Sequence, residues 1–248
     1  MPHSSNPLFV VRSPQDERRS NAFLSAIHSA DLDRLKPHLR EMELVKGKML
    51  FDQGGRIDEV IFPVSGIVSF VVAMTDGDQV EAGMIGHDGL IGAGAALNGP
   101  RAINRAVVQS PGTALAIPVG ALKAALGASE TLRGVVYRYD QLLWAQTQQS
   151  VACNALHHIE ERLCRWILRS RDLVHGDVLH LTQEFIAEML GVRRTSVTLA
   201  ARHLQALQLI KYRRGQIDVL DVDGLREASC ECYQAFSQQE ALILSPAN

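Results

Sequence analysis

The chain has 248 residues, of which 46% are hydrophobic and 21% are charged, and its formal net charge is −2. This composition is ordinary for a globular protein of one large or two modest domains, and the near-neutral charge excludes a histone-like, non-specific binder of DNA. The uncharged run from Val60 to Thr75 is interrupted by Pro63 and Gly66 and is too short to cross a membrane.

The first 20 residues are polar and lack the basic start and the apolar core of a secretory signal. We therefore expect a flexible lead-in at residues 1–20 and a cytoplasmic protein. From Asn21 to Glu41 apolar residues recur at helical spacing, which predicts short helices.

Glycine is concentrated in the next part of the chain, where 14 of the 19 glycines lie between Gly47 and Gly127. Short runs of strand-forming residues alternate there with turn residues, and Asp76-Gly77 is a strong hairpin signal. Many short strands separated by such turns predict a compact antiparallel β barrel or roll. We assign residues 21–128 to this first domain.

A long helical stretch follows the roll. Between Ser129 and Val174 the chain has no proline and one glycine, and Ser129 is suited to cap the start of a helix. The apolar stripe weakens toward Cys153-Asn154, where we place a hinge. The predicted long helix therefore spans residues 129–153, and a second amphipathic stretch runs on to Val174.

Two short helices are predicted after Thr182, joined by a tight turn at Gly191. Thr182 can cap the first helix, and Gly191 tolerates the left-handed conformation in which helices often end. The second helix carries Val197, Ala201 and Leu204 on one face and arginine and threonine side chains on the other. Such a pair is the helix-turn-helix, whose second helix enters the major groove of DNA.

A basic hairpin follows the second helix. Strand-forming runs at residues 209–212 and 216–220 are linked by Arg213-Arg214-Gly215, which is typical of the wing of a winged helix. Between Met189 and Ile217 there are six Arg and Lys residues and no Asp or Glu, which favours a phosphate-facing surface over a merely solvated one. We assign residues 154–248 to a DNA-binding domain. The residues expected to contact DNA are Thr182, Gln183, Arg193, Arg194, Thr195, Ser196, Thr198, Arg202 and Arg214.

A homodimer is expected, because a winged helix that reads a two-fold symmetric DNA site needs a two-fold symmetric protein. The candidate seam is the apolar stripe of the long helix. A helix packed on its own β domain would show the same stripe, and the dimer seam is favoured over it. The predicted seam residues are Leu132, Val136, Tyr139 and Leu143.

The cysteines match no zinc-binding pattern, because no CxxC occurs and no nearby histidine completes a set. Cys230 and Cys232 would project from different sides of a helix, and His157 and His158 read as a solvated helix start. We therefore expect no metal and no other cofactor, and we favour reduced structural thiols. A redox role of Cys153 or of the 230/232 pair stays open. The four cysteines are Cys153, Cys164, Cys230 and Cys232.

A β roll, a long helix and a winged helix in this order resemble the Crp/Fnr family of bacterial transcription regulators over nearly the whole chain. The matching motifs are Asp76-Gly77, Gly89-Leu90-Ile91-Gly92, Leu190-Gly191-Val192, Arg194 and Arg214-Gly215-Gln216-Ile217. The resemblance implies an α+β protein with an N-terminal cyclic-nucleotide-binding-type β roll, a dimerisation helix and a C-terminal winged helix-turn-helix. It also implies double-stranded DNA, RNA polymerase and a small-molecule effector as partners.

Members of this family that bind cyclic AMP carry a Gly-Glu pair and, about ten residues later, an Arg followed by Ser or Thr, which hold the ribose and the phosphate. Here Ala93 follows Gly92, and neither Arg101 nor Arg105 precedes Ser or Thr. We therefore expect a signal other than cyclic AMP. The effector pocket that the resemblance implies is lined by Gly86, Gly92, Ala93, Asn104, Arg105, Tyr139 and Gln146.

Other branches of the family are disfavoured. An iron–sulfur sensor needs N-terminal cysteines, whereas the first cysteine is Cys153, and His87 is the only histidine in the roll for a haem. No nucleophile elbow, P-loop or HExxH motif is present, so no enzyme is expected. The leading hypothesis is a homodimeric, sequence-specific transcription regulator with a sensory roll. The alternative is a small-molecule or redox sensor that acts through protein partners rather than DNA.

Overall fold

The structure is a computed structural model that describes residues 21–244. The lead-in expected at residues 1–20 lies outside the described residues. The chain forms a β roll with surrounding helices, then one long helix, and then a helical unit with a small sheet. The α+β architecture expected from the sequence is confirmed.

Short helical segments precede the roll. They are α1 (Ala22–Ala26), α2 (Ser29–Leu35) and a 3₁₀ turn (Lys36–His38). The Asn21 side chain starts α1 by accepting a hydrogen bond from the backbone N–H of Leu24 at 3.0 Å. Its amide also donates to the backbone oxygens of Pro63 and Gly89, which ties the segment to the roll. The predicted helices are confirmed, except that Arg40 and Glu41 lie in the first strand.

Within residues 21–244 the roll has seven antiparallel strands in two sheets, with the orders β1-β7-β3 and β2-β6-β4-β5. The strands are β1 (Arg40–Leu44), β2 (Met49–Phe51), β3 (Glu59–Pro63), β4 (Ile67–Ala73), β5 (Gln79–Ile85), β6 (Arg105–Ser110) and β7 (Gly112–Pro118). Gly77 turns β4 into β5 with φ of +96°, as the Asp76-Gly77 signal predicts. The predicted roll is confirmed, and apolar side chains fill its interior.

Three helices follow or flank the strands. They are α3 (Gly94–Leu97), α4 (Val119–Ala128) and the long helix α5 (Glu130–Leu156). Ser129 caps α5 as predicted, since its hydroxyl accepts a hydrogen bond from the backbone N–H of Leu132 at 3.1 Å. The hinge predicted near Cys153-Asn154 is present and lies slightly further along the chain. The helix continues to Leu156 because nothing between Ser129 and that point interrupts its hydrogen bonds, and the break lies at His157.

The apolar stripe of α5 faces the roll of its own chain. Leu132, Val136 and Tyr139 are 0%, 0% and 3% exposed and belong to one buried cluster with the roll and its flanking helices. Leu143 is partly buried against the same cluster. The same protomer already covers Leu132, Val136 and Tyr139, which contradicts the prediction that they form the dimer seam, whereas Leu143 stays a predicted seam residue.

The opposite face of α5 is exposed. Tyr137, Trp144 and Val151 are 50%, 65% and 66% exposed, and they follow one another at intervals of seven residues. Seven residues are close to two turns of a helix, so these three side chains form one stripe along its length. The stripe is apolar and has no partner among residues 21–244.

The C-terminal unit holds five helices and a three-stranded antiparallel sheet of order β8-β10-β9 in the described residues. Its elements are α6 (Ile159–Val174), β8 (Val178–Leu179), α7 (Gln183–Leu190), α8 (Arg194–Ala206), β9 (Ile210–Arg213), β10 (Gln216–Val219), α9 (Val222–Glu227) and α10 (Cys232–Leu244), the last of which lies against α5. Within this unit α7 and α8 form a helix-turn-helix, and β9 and β10 form the hairpin that follows it.

The roll and the C-terminal unit share an apolar core. Ile67, Val71 and Met84 of β4 and β5 belong to the same buried cluster as Trp166 and Leu173 of α6. An apolar interface of this kind fixes the position of the C-terminal unit relative to the roll.

Polar contacts surround this core. Trp166 Nε1 donates to Glu81 Oε1 at 3.0 Å, and Arg169 forms an ion pair with Asp88, both side chains being 11% exposed. Burial raises the pKa of Glu81. Burial opposes the ionisation of Asp88 most strongly, but the charge and hydrogen bond of Arg169 together with the backbone N–H of Gly86 hold the pKa of Asp88 below its usual value. The Asp88 charge therefore stabilises the folded protein at neutral pH, and this contribution is lost as the pH falls through the lowered pKa.

No helix among residues 21–244 combines the length and the apolar character needed to cross a bilayer.

Gly89 provides the first testable prediction, because a side chain there has no room. A Cβ atom at Gly89 would lie 1.8 Å from the hydroxyl oxygen of Tyr139, whose ring is fixed in the core of the roll. Gly89→Ala is expected to lower the free energy of unfolding by about 1–3 kcal/mol through overpacking. Thermal and denaturant unfolding measure this change.

Gly94→Ala is the matched control. Nothing lies within 4 Å of a Cβ atom at Gly94, which starts α3. This variant should unfold at or slightly above the temperature of the parent. Equal unfolding temperatures for Gly89→Ala and the parent would show that the close approach of Tyr139 is wrong.

Candidate DNA interface and sensory domain

The helix-turn-helix is built by local interactions that the sequence predicts. The Thr182 hydroxyl caps α7 by accepting a hydrogen bond from the backbone N–H of Phe185 at 3.2 Å. Gly191 ends α7 with φ of +62°, and the backbone N–H of Val192 bonds to the oxygen of Ala187 at 2.9 Å. This tight end lets α8 begin three residues later at Arg194.

The second helix, α8, has one buried and one exposed face. Val197, Ala200, Ala201 and Leu204 are at most 5% exposed and join the core of the C-terminal unit. The other face holds Arg193 at its cap, Arg194, Thr195 and Arg202, all of them exposed. An exposed helix face with this side-chain set is what major-groove recognition requires.

The start of α7 lies beside α8 and the wing. The Thr198 hydroxyl donates to Gln183 Oε1 at 2.7 Å, and Arg194 forms an ion pair with Glu184 at 2.8 Å. Both partners of this ion pair are more than 60% exposed, so it costs little to break when a phosphate or a base competes for the arginine. Ser196 is half-buried at the start of α8.

The wing is the β9–β10 hairpin. Arg214 and Gly215 form its tip with φ of +49° and +77°, the left-handed conformation that two-residue hairpin turns need. The tip sits near the cap of α7, because a Cβ atom at Gly215 would lie 3.4 Å from the methyl carbon of Thr182. Tyr212 fastens the hairpin by donating its hydroxyl hydrogen to the Leu181 oxygen at 3.0 Å.

The basic residues of the module all reach solvent. One positively charged surface is thus formed by the N-terminal cap of α7, by α8, which is the recognition helix, and by the wing. We call it the basic surface. Among its predicted residues, Thr182, Gln183, Arg194 and Thr198 are brought together by the contacts above. The exposed cations of the basic surface are Arg193, Arg194, Arg202, Lys211, Arg213 and Arg214.

The predicted effector residues lie in different settings. Gly86 approaches Leu173 of the C-terminal unit, whereas Gly92 approaches Ile57 inside the roll. Ala93 is 8% exposed and belongs to the apolar core. Gln146 is buried on α5, Tyr139 is buried beside Gly89, and Asn104 is half-buried just before β6.

Arg105 is engaged within the roll. Its Nε and Nη2 atoms donate to the two carboxylate oxygens of Asp52 at 2.9 and 3.2 Å. The hydrogen bonds from Arg105 hold the pKa of Asp52 below its usual value. A guanidinium that is paired in this way has fewer donors left for a phosphate.

Two surface clefts of about 540 Å³ each are lined by residues other than the predicted pocket residues. One is lined by β1, β2 and the segment before β3, including Arg40, Lys48 and Arg56. The other lies between the roll and α6, where His87 and His175 stack with ring centroids 4.0 Å apart. Neither cleft includes the residues that the family resemblance assigns to an effector.

The cysteines correct a further prediction. Cys153, Cys230 and Cys232 lie together with His157, and the candidate ligand atoms of all four are within 4.8 Å of one another. Cys230 precedes α10 and Cys232 is its first residue, so the two do not project from different sides of one helix. His157 is not a solvated helix start, because its side chain is 18% exposed. A nearby histidine therefore does complete a set.

The thiols of the protein differ in character. A hydrogen bond from Cys230, opposed by burial and aided by the Arg165 charge, lowers the pKa of Cys153 to about 5. Burial raises the pKa of Cys164 to about 12, and this thiol stands apart from the cluster. The sequence signal for the cluster was the interval of four residues between Cys153 and His157, which places both on one face of a helix.

Two family profiles match the chain. The one described as the cyclic nucleotide-binding domain matches residues 41–129. The one described as the Crp-like helix-turn-helix domain matches residues 161–228. No curated protein sequence matches the chain.

Solved structures share the fold at low sequence identity. A protein from Eubacterium rectale described as a transcriptional regulator of the crp/fnr family has a TM-score of 0.65 and 16% identity, over 82% of this chain and 95% of that one. FixK2 from Bradyrhizobium japonicum has a TM-score of 0.67 and 15% identity, over 77% and 98%. CLP from Xanthomonas campestris, described as a c-di-GMP responsive global regulator, has a TM-score of 0.60 and 16% identity, over 77% and 99%.

The profiles cover the roll and the helix-turn-helix, and the solved structures reproduce their arrangement around a long helix. The chain belongs to the Crp/Fnr family of DNA-binding transcription regulators and combines a cyclic nucleotide-binding-type domain with a Crp-like helix-turn-helix.

Proposed function

We propose that the protein is a homodimeric, sequence-specific regulator of transcription whose roll responds to a signal other than cyclic AMP. The observation that carries the proposal is the basic surface, in which an exposed recognition helix, the cap of α7 and a basic wing tip lie side by side. Double-stranded DNA is the partner that such a surface fits. RNA polymerase is the further partner that the family implies, and the cytoplasm is the compartment.

The exposed stripe of α5 supports the homodimer. Tyr137, Trp144 and Val151 occupy equivalent positions of successive heptads, and the positions between them are filled by Gln141 and Gln148. A second copy of the helix, related by a two-fold axis, would bury this stripe as a short coiled-coil contact. We thus place the dimer seam on the face of α5 opposite to the one predicted from the sequence.

The dimer seam is tested by Trp144→Glu. A charge in the middle of an apolar contact should dissociate the dimer, because it cannot be buried there without a partner. Sedimentation velocity at micromolar concentration should show a dimer for the parent and a monomer for the variant.

Ile103→Glu is the matched control for that experiment, since Ile103 is 88% exposed on the roll, away from α5. It should leave the dimer intact. If Trp144→Glu is dimeric as well, the seam lies elsewhere.

DNA recognition is expected to depend unequally on the arginines. Arg194 lies in the first turn of α8, where side chains reach base edges, so Arg194→Ala should cost about 1–3 kcal/mol on the specific site and much less on random DNA. Arg202→Ala and Arg214→Asn should weaken binding to both DNAs and lower the salt slope by about one unit. Asparagine is chosen for Arg214 because it tolerates the left-handed conformation of the wing tip.

The measurement uses a site obtained by in vitro selection with the full-length protein and compares it with random DNA across a salt series. Lys123→Ala removes one exposed charge from α4, far from the basic surface, and serves as the control. Equal losses on both DNAs for Arg194→Ala would show a phosphate contact instead of base reading. If the selection enriches no sequence, the protein acts through other partners.

Cyclic AMP is expected to have no useful affinity for the roll. Ala93 stands where the family's cyclic-AMP-binding members have the ribose-binding carboxylate, and it is buried. Arg105 is paired with Asp52. Titration calorimetry should therefore show no saturable binding, and a micromolar dissociation constant for cyclic AMP would contradict the expectation.

A further inference from the structure

The cluster of Cys153, His157, Cys230 and Cys232 has the composition of a metal site. Cys153 lies in the last turn of α5 and His157 is the residue that follows this helix, whereas Cys230 precedes α10 and Cys232 is its first residue. The three cysteines are at most 4% exposed. Three thiols and an imidazole that converge from two distant parts of the chain are the ligand set of closed, structural zinc sites.

The distances fit one ion rather than several. Cys153 Sγ lies 3.6 Å from Cys230 Sγ, and Cys232 Sγ lies 3.5 Å from His157 Nδ1. Tetrahedral zinc with Zn–S of about 2.3 Å and Zn–N of about 2.0–2.1 Å has S···S edges of about 3.8 Å and S···N edges of about 3.5 Å. These two pairs are therefore within a few tenths of an ångström of a tetrahedral edge, and the ligand atoms of all four residues lie within 4.8 Å of one another.

The surroundings orient the ligand groups. The other ring nitrogen of His157, Nε2, lies 3.2 Å from a carboxylate oxygen of Glu231. Gln149 Nε2 donates a hydrogen bond to Cys232 Sγ at 3.0 Å. A carboxylate behind a histidine fixes the tautomer that presents Nδ1 to a metal, and an N–H donor stabilises a thiolate.

Positive charge lies nearby. Arg162 and Arg165 of α6 are each 8% exposed and interact electrostatically with Cys153. Three thiolates and one divalent ion leave a net negative charge, which these guanidinium groups offset.

A disulfide and an iron cluster explain fewer features of this four-residue cluster than a single zinc ion does. A disulfide between Cys153 and Cys230 would use two of the four groups and would leave the convergence of Cys232 and His157, and the carboxylate behind the imidazole, without a role. A cluster of several irons binds its thiolates through different metal atoms and holds them farther apart than the ligands of one ion.

We infer that Cys153, His157, Cys230 and Cys232 bind one zinc ion in a closed tetrahedral site. The site joins the end of α5 to the start of α10, next to the break at His157 where the long helix gives way to the DNA-binding unit. Bound zinc fixes the angle between the long helix and the DNA-binding unit. If the proposed function holds, the ion thereby keeps the recognition helices of a dimer at the spacing that DNA requires. Loss of the ion loosens this joint.

Metal binding is tested on the reduced, metal-free, full-length protein with Co²⁺ as the probe and Zn²⁺ as the competitor. One Co²⁺ per protomer should bind with the intense visible bands and the thiolate charge-transfer absorption of a tetrahedral site, and Zn²⁺ should displace it. Cys153→Ser and Cys232→Ser should abolish these bands. Glu231→Gln should keep the bands and weaken the affinity by about 10–100-fold.

Two variants are matched controls. Cys164→Ala removes the buried cysteine of α6 that is outside the cluster, and His158→Asn replaces the neighbouring histidine with a residue that can still cap α6. Both should bind Co²⁺ like the parent. Circular dichroism checks that every variant is folded, and the exposed Glu231→Gln keeps the test valid if a serine variant is not.

Several results would overturn the site: no stoichiometric Co²⁺, octahedral Co²⁺ without thiolate absorption, unchanged bands in folded Cys232→Ser, or a Cys153–Cys230 disulfide in the protein purified without metal. DNA affinity is measured separately with and without Zn²⁺. If the protein binds the metal but binds no DNA, the result contradicts the proposed function and leaves the metal site supported. Equal DNA affinity of the zinc-bound and zinc-free forms contradicts the coupling and not the site.

Discussion

The burial of one face of α5 against the roll is the interaction on which the rest of the molecule depends. A helix of 27 residues can be buried on one side and free on the other, and here Leu132, Val136 and Tyr139 take the buried side. Because helical periodicity is fixed, this choice also determines what the other side presents, namely Tyr137 and Trp144. It further determines where the end of the helix meets the C-terminal unit. Packing within one protomer thereby determines which face of α5 a second protomer can contact.

The parts of the fold that the sequence predicts are those specified by neighbours in the chain. Thr182 caps α7 and Gly191 ends it through bonds that span only three to five residues, so their residue types are sufficient signals. The Asp76-Gly77 turn is equally local. The basic surface was predictable for the same reason, since helix, turn and wing are contiguous and their exposed faces follow from periodicity.

What the sequence could not decide depends on contacts between distant residues. An apolar stripe at positions such as Leu132 and Val136 has the same pattern whether it meets its own roll or a partner. In the sequence Arg105 is a candidate ligand-binding residue, but in the structure it pairs with Asp52, which is 53 positions away in the chain. Cys153 and Cys230 are separated by 77 residues, and no local spacing rule announces that they meet.

The apolar core shared by the roll and α6 has a thermodynamic consequence for any signal that the protein receives. Moving the C-terminal unit away from β4 and β5 would expose Ile67, Val71, Met84 and Trp166, and each such side chain is worth about 1.5–3 kcal/mol when buried. An effector shifts such an equilibrium only by its difference in affinity for the two arrangements. A ligand that binds both equally leaves the docked population as it is, however tightly it binds.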